Sequence, residues 1–84
     1  MTEQEQRRRS SLLATLSFEQ PASVHDLRAE MQAVHGVVAS ADLIRADLGW
    51  LAEMGLVRCD GDAAMCTERG MDVARRRAPF PGAL

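Results

Sequence analysis

The stretch SADLIRADLGWLAEMGLVRCDGDAAMCTERG, Ser40 to Gly70, reads as a helix stopped by a glycine, then a short hairpin, then the opening of another helix. Ser40 is placed to cap the helix by accepting from a free backbone amide. Ala41, Ile44, Leu48 and Leu51 recur at the three-and-four spacing that lays one apolar stripe along it. Gly55 supplies the left-handed stop. Beyond it, Leu56 and Val57 start a strand, Asp60-Gly61-Asp62 turns the chain, and Ala63 to Cys66 returns before Thr67 opens a further helix.

Two helices precede this segment. Thr2 with Glu5 three residues on has capping-box form, and Glu3 to Arg7 and Glu5 to Arg9 are favourable i,i+4 pairs. The apolar face of this helix is late and short, Leu12, Leu13 and Leu16, so its first two turns are expected to be solvated or docked on a partner. Ser17 to Ala22, with Phe18 and Pro21, breaks the pattern and leaves room for a short first strand. Ser23 with Asp26 gives the second cap, and Val24, Leu27, Met31 and Val34 form the expected buried stripe. His35 and Gly36 close that helix, and Gly36 to Ala39 has the length of a helix-turn-helix turn.

The last helix, from Thr67, is expected to bury Met71 and Ala74, with Val73 at the edge of that face, before Arg75-Arg76-Arg77. In the tail APFPGAL two prolines and a glycine oppose a continued helix. The tail is either disordered or an extended arm held by Phe80 and Leu84. The order of elements predicts an α+β, mostly α, winged helix-turn-helix: three helices, a two-stranded wing and a C-terminal helix over residues 1–78, with an extended tail over 79–84.

Eighty-four residues fit one domain with a small core. No apolar run approaches the ~18 to 20 residues of a membrane span, and MTEQEQRRRSS carries no signal-peptide core, so a soluble cytoplasmic protein is expected. Cys59 and Cys66 flank the expected wing turn, where a four-residue-loop register sets them opposite each other; in a cytoplasm they are expected as free thiols. His25 and His35 lie at opposite ends of one helix, ~15 Å apart, too far to cooperate. With no finger-like spacing to the cysteines, no phosphate loop and no nucleophile motif, neither a metal, a cofactor nor an enzyme is expected.

DLGWLAEMGLV, followed after a short wing by TERGMDVARRRAPFPG, resembles a small winged-helix family encoded in Mu-like prophages, often labelled ArsR-like transcriptional regulators. The resemblance runs from about Arg8 to Gly82. Its specific parts are Asp47-Leu48-x-Trp50-Leu51, Gly55-Leu56-Val57, Thr67-Glu68-Arg69-Gly70, Asp72-Val73-Ala74 and Pro81-Gly82. It implies a winged helix and a regulatory role on double-stranded DNA. The short acidic wing departs from the family pattern, and the ArsR metal-sensing cysteine motif is not in this sequence.

With Ile44, Leu48 and Leu51 inward, Ser40, Asp42 and Arg45 point out near the N-terminal half of the third helix, where helices of this kind meet base edges. Arg45 is suited to a guanine's O6 and N7, and Ser40 with the helix-start amides to a phosphate. Arg58 on the wing and Arg28 on the second helix are expected backbone contacts. Against this, the chain has a net charge of −2. From Gly36 to Cys66, Asp42, Asp47, Glu53, Asp60 and Asp62 oppose only Arg45 and Arg58.

The basic clusters lie on the terminal helices. A dimer or partner interface is expected to draw on Arg7, Arg8, Leu12, Trp50, Arg75, Arg76 and Phe80, with Trp50 either wedged between helices or anchoring a partner. These features predict a homodimeric DNA-binding regulator of phage or prophage type. The alternative is a winged-helix protein-interaction module, adaptor or dimerisation unit, that binds no DNA.

Overall fold

Each of the four helices begins at the hydroxyl side chain that the sequence marks for it. The structure, a computed structural model, describes residues 1–82. It runs α1 (Glu3–Phe18), β1 (Ala22–Ser23), α2 (Val24–His35), α3 (Ala41–Glu53), β2 (Val57–Asp60), β3 (Ala63–Cys66) and α4 (Glu68–Ala74). Thr2 Oγ1 accepts from the Glu5 amide at 3.0 Å while Glu5 Oε1 accepts from the Thr2 amide at 3.0 Å, completing the capping box. Ser23 and Ser40 each accept from the amide three residues on at 3.1 Å, and Thr67 from Gly70 at 3.0 Å.

The stops are equally local. Gly36 takes a left-handed φ of 65° at the end of α2 and Gly55 one of 76° after α3. There the Leu56 amide donates to Leu51 O at 2.9 Å and the Gly55 amide to Ala52 O at 3.0 Å, the paired bonds of a Schellman motif.

All strands pair antiparallel in the order β1-β3-β2, so the short first strand for which Ser17 to Ala22 left room forms at Ala22–Ser23 and joins the two-stranded wing. Gly61 and Asp62 alone form the hairpin loop, with Gly61 at φ 61°, the first loop position that a type II′ turn gives to a positive φ. This loop is shorter than expected and shifts the register. Cys59 faces Ala64 and Cys66 faces Val57, so the two free thiols are not opposite each other.

Leu12, Leu13 and Leu16 of α1, Leu27 and Met31 of α2, Ile44, Leu48 and Leu51 of α3, and Leu56 and Val57 meet in one core. Leu12 is fully buried there, which corrects its expected place in a dimer interface: no face of it is left for a partner. Val34 is 65% exposed, because the left-handed turn at Gly36 carries the chain toward α3 and leaves the last turn of α2 uncovered. In α4, Gly70 and Val73 are the buried residues, and Met71 and Ala74 are half-buried.

Gly70 is buried for a geometric reason. A Cβ there would lie 1.9 Å from the Leu56 carbonyl oxygen, which also accepts from the Thr67 amide at 3.0 Å. Gly49, on the exposed face of α3, has open space around the same position. Gly70→Ala is therefore expected to destabilise the fold by about 1 to 3 kcal/mol, the usual cost of overpacking. Gly49→Ala should stabilise it by roughly 0.5 to 1 kcal/mol, since alanine loses less backbone entropy in a helix. Urea unfolding of both variants checks the pair, and shifts of the same sign would contradict the close approach of α4 to Leu56.

Candidate nucleic-acid interface

Asp47 sits within the apolar stripe of α3, three residues after Ile44 and four before Leu51, and its side chain is 1% exposed. A carboxylate taken out of water needs a donor on each oxygen. Oδ1 accepts from Arg8 Nη2 and Arg9 Nε, each at 3.0 Å, and Oδ2 accepts from Arg8 Nε. The Asp47 hydrogen bond, with its negative charge, holds the Arg8 guanidinium above its ordinary range. No buried side-chain nitrogen or oxygen among the described residues lacks a partner.

Arg9 extends this cluster outward. Its Nη2 reaches Glu5 Oε2 at 3.3 Å, and its guanidinium carbon lies 4.4 Å from the centroid of a Trp50 ring, within cation–π range. The backbone amide of Thr2, then its hydroxyl, and Arg9 further out, hold the Glu5 carboxyl below the usual carboxylate range. Trp50 in turn stacks on Phe80 with ring centroids 5.8 Å apart and planes at 29°. Arg8, Trp50 and Phe80, expected at a partner interface, are thus engaged with other residues of the same chain. The contact through Phe80 holds the tail; the expected contact through Leu84 lies outside the described residues. Arg7, Arg75 and Arg76 are exposed, Arg76 in the left-handed region at φ 61°.

The opposite face of α3 carries the expected base-reading positions. Ser40, Asp42, Arg45, Ala46 and Gly49 are all exposed. The guanidinium of Arg45, 54% exposed, lies between two carboxylates: Asp42 Oδ1 is 3.4 Å from Nη1, and Asp62 Oδ1, at the wing tip, is 3.6 Å from Nη2. A groove of about 270 Å³ between α3 and the hairpin is lined by Arg45, Leu48, Gly49, Cys59, Gly61 and Asp62, among others. Arg58 is exposed on β2 and shares its sheet face with Met65, its register partner on β3; Arg28 is exposed on α2. No ion pair involves Arg28 or Arg58 among the described residues.

Asp47 and Asp62 are the residues whose roles the sequence reading missed. Asp47 counted there as one of five surface acids, although an acid inside an apolar stripe is itself a signal of a buried partner. Asp62 reaches Arg45 only because the hairpin loop is two residues long. No group of three metal-ligating side chains forms among the described residues. No helix there is long and apolar enough to cross a membrane.

The fold is a winged helix. No family model and no curated protein matches the chain. Among solved structures, it is similar to a MarR-family protein of Mycobacterium tuberculosis, with a TM-score of 0.66 and 26% identity. The match covers 90% of this chain but 50% of that one, so this chain spans about half the length of its structural neighbour.

Three predictions come from the buried side chains of the fold. Asp47→Ala leaves the Arg8 guanidinium without an acceptor and Arg9 with Glu5 alone, and should cost about 3 to 5 kcal/mol, read by urea unfolding followed at Trp50. A loss below ~1 kcal/mol, the size of an exposed pair, would mean that the cluster is solvated. Burial pushes the Cys66 thiol up to about 11 and raises that of Cys59 as well. Because the folded state favours the protonated thiol, stability should fall as pH rises from the unfolded thiol range near ~8.5 through the folded value. Iodoacetamide at pH ~8.5 should accordingly modify exposed Cys59 well before half-buried Cys66, as peptide mapping would show.

Proposed function

We propose that this chain is a DNA-binding transcriptional regulator of phage or prophage type that acts in the cytoplasm as a homodimer, with α3 as the element read into the major groove. The observation that carries this reading is the exposed N-terminal face of α3, with Ser40, Asp42 and Arg45 on a fold similar to that of a MarR-family protein. Arg45 donates to guanine O6 and N7, Ser40 and the first amides of α3 face phosphate, and Arg28 and Arg58 supply backbone contacts. Arg7, Arg75 and Arg76 flank the surface through which two copies associate.

Burial of Asp47 relieves part of the electrostatic objection to DNA binding. From Gly36 to Cys66 the exposed charges are Asp42, Glu53, Asp60 and Asp62 against Arg45 and Arg58, four against two. That surface still attracts phosphate weakly, so affinity rests on few contacts. The slope of log affinity against log salt should be shallow, roughly −0.9 for each phosphate neutralised. A second reading, a protein-interaction module, is favoured by one observation: Arg45 is already engaged by two acids of its own chain.

Fluorescence anisotropy with a duplex pool at about 50 mM salt, where electrostatic binding is strong, separates the two. Arg45→Ala is expected to cost ~1 to 3 kcal/mol on the preferred duplex and to relax sequence preference. Arg58→Ala should weaken all duplexes alike and flatten the salt dependence. Equal binding by wild type and Arg45→Ala would sink the regulator reading with Arg45 as base reader, and no binding by either would favour the interaction module.

A further inference from the structure

We propose that Asp42 and Asp62 are specificity-determining residues that hold the Arg45 guanidinium in the free protein and release it to a guanine edge in preference to a phosphate. The proposal rests on the DNA-binding reading above. Its basis is that the two carboxylates approach different nitrogens of Arg45, Asp42 at Nη1 from within α3 and Asp62 at Nη2 from the wing. The groups come from separate elements, and the two-residue turn at Gly61-Asp62 brings the second one over the groove.

The chemistry separates the two kinds of DNA target. A phosphate brings a negative charge up to Asp42 and Asp62 and, on displacing one of them, replaces one anion around Arg45 with another. A guanine edge is uncharged and presents O6 and N7 in one plane, matching two donors of the guanidinium at once. Asp42, 97% exposed and one helical turn before Arg45, is then free to accept from the N4 amino group of a neighbouring cytosine. The acids thus lower affinity for any duplex while lowering it most where only phosphates are offered.

The pairs are exposed and separately weak, which sets the size of the effect. Anisotropy would be measured for wild type, Asp62→Asn, Arg45→Ala and the double variant, on a duplex enriched from a random pool and on random duplex. Asp62→Asn is expected to tighten random-duplex binding about two- to fivefold, from the strength of an exposed ion pair, and the enriched duplex by less. The ratio between the two therefore falls. Placed on Arg45→Ala, the same change should tighten both duplexes alike and leave their ratio unchanged. An unchanged or larger ratio in Asp62→Asn, or an equal fall in the ratio with and without Arg45, would overturn the proposal and leave DNA binding standing. Absence of binding to any duplex by wild type and Asp62→Asn alike would overturn the DNA-binding reading with it.

Discussion

The buried carboxylate of Asp47 constrains the rest of this fold. An ionised side chain at 1% exposure is tolerable only where donors surround it, and those donors come from Arg8 and Arg9, 39 and 38 residues earlier in the chain. A buried ion pair contributes little net stability once its desolvation is subtracted. Its effect is on the choice of arrangement, because any other placement of α1 against α3 leaves a buried charge without a partner. The N-terminal half of α1, nearly devoid of apolar side chains, is thereby fixed by ionic contacts while its C-terminal half is fixed by Leu12, Leu13 and Leu16. Arg9 carries the same constraint to Trp50, and Trp50 to Phe80, so the start of α1, the middle of α3 and the tail form one cluster.

The other end of α3 is held by backbone rather than by charge. Leu56 donates back into the helix through its amide and accepts from Thr67 through its carbonyl, while Thr67 Oγ1 donates to Gly55 O at 2.6 Å. Thr67 also caps α4, so one residue joins the exit of α3 to the entry of α4. The hairpin between them leaves from this junction and returns to it, which fixes its direction. Only under that restraint does a two-residue turn deliver Asp62 to Arg45, so the wing's electrostatic role depends on Gly70 making room for Leu56.

The parts of the fold that were legible in the sequence are those governed by neighbours within about five residues. Thr2, Ser23, Ser40 and Thr67 cap their helices, and Gly36 and Gly55 end theirs, because capping and left-handed turns are local hydrogen-bond problems. Helical spacing likewise placed Ile44, Leu48 and Leu51 in the core. Periodicity failed at Val34 and in α4, where the partner surface, not the helix, decides which residue is covered. The register of Cys59 and Cys66 turned on one hairpin loop length, which side-chain chemistry alone does not specify. The arginine cluster of α1 was visible as charge but not as an intramolecular ligand set, since its acceptor lies 38 residues away. The candidate site was legible as a face, Ser40, Asp42 and Arg45, and not as a network, because the role of Asp62 exists only after the hairpin folds back.

The same fact, that charge is placed for internal pairing, bears on the duplex recognition proposed for this surface. Non-specific affinity grows with the number of phosphates neutralised. Of the ten arginines, Arg8 and Arg9 are committed to Asp47, Arg77 lies 3.7 Å from Asp72, and Arg45 lies between two acids. Six arginines remain outside these pairs, but only Arg58 of them lies between Gly36 and Cys66, in the segment that carries Arg45, so little cation density is left there to hold DNA without regard to sequence. Discrimination depends on the difference between the preferred duplex and all others, not on either affinity alone. A surface with little general attraction gains in that difference what it loses in strength, provided that α3 presents Arg45 in a fixed position. The Asp47 cluster at one side of α3 and the Leu56 junction at its end hold the helix in place, which makes the acidic wing compatible with the proposed recognition. Two copies acting together would restore strength by joining two weak readings into one event, since each linked contact raises the effective concentration of the next.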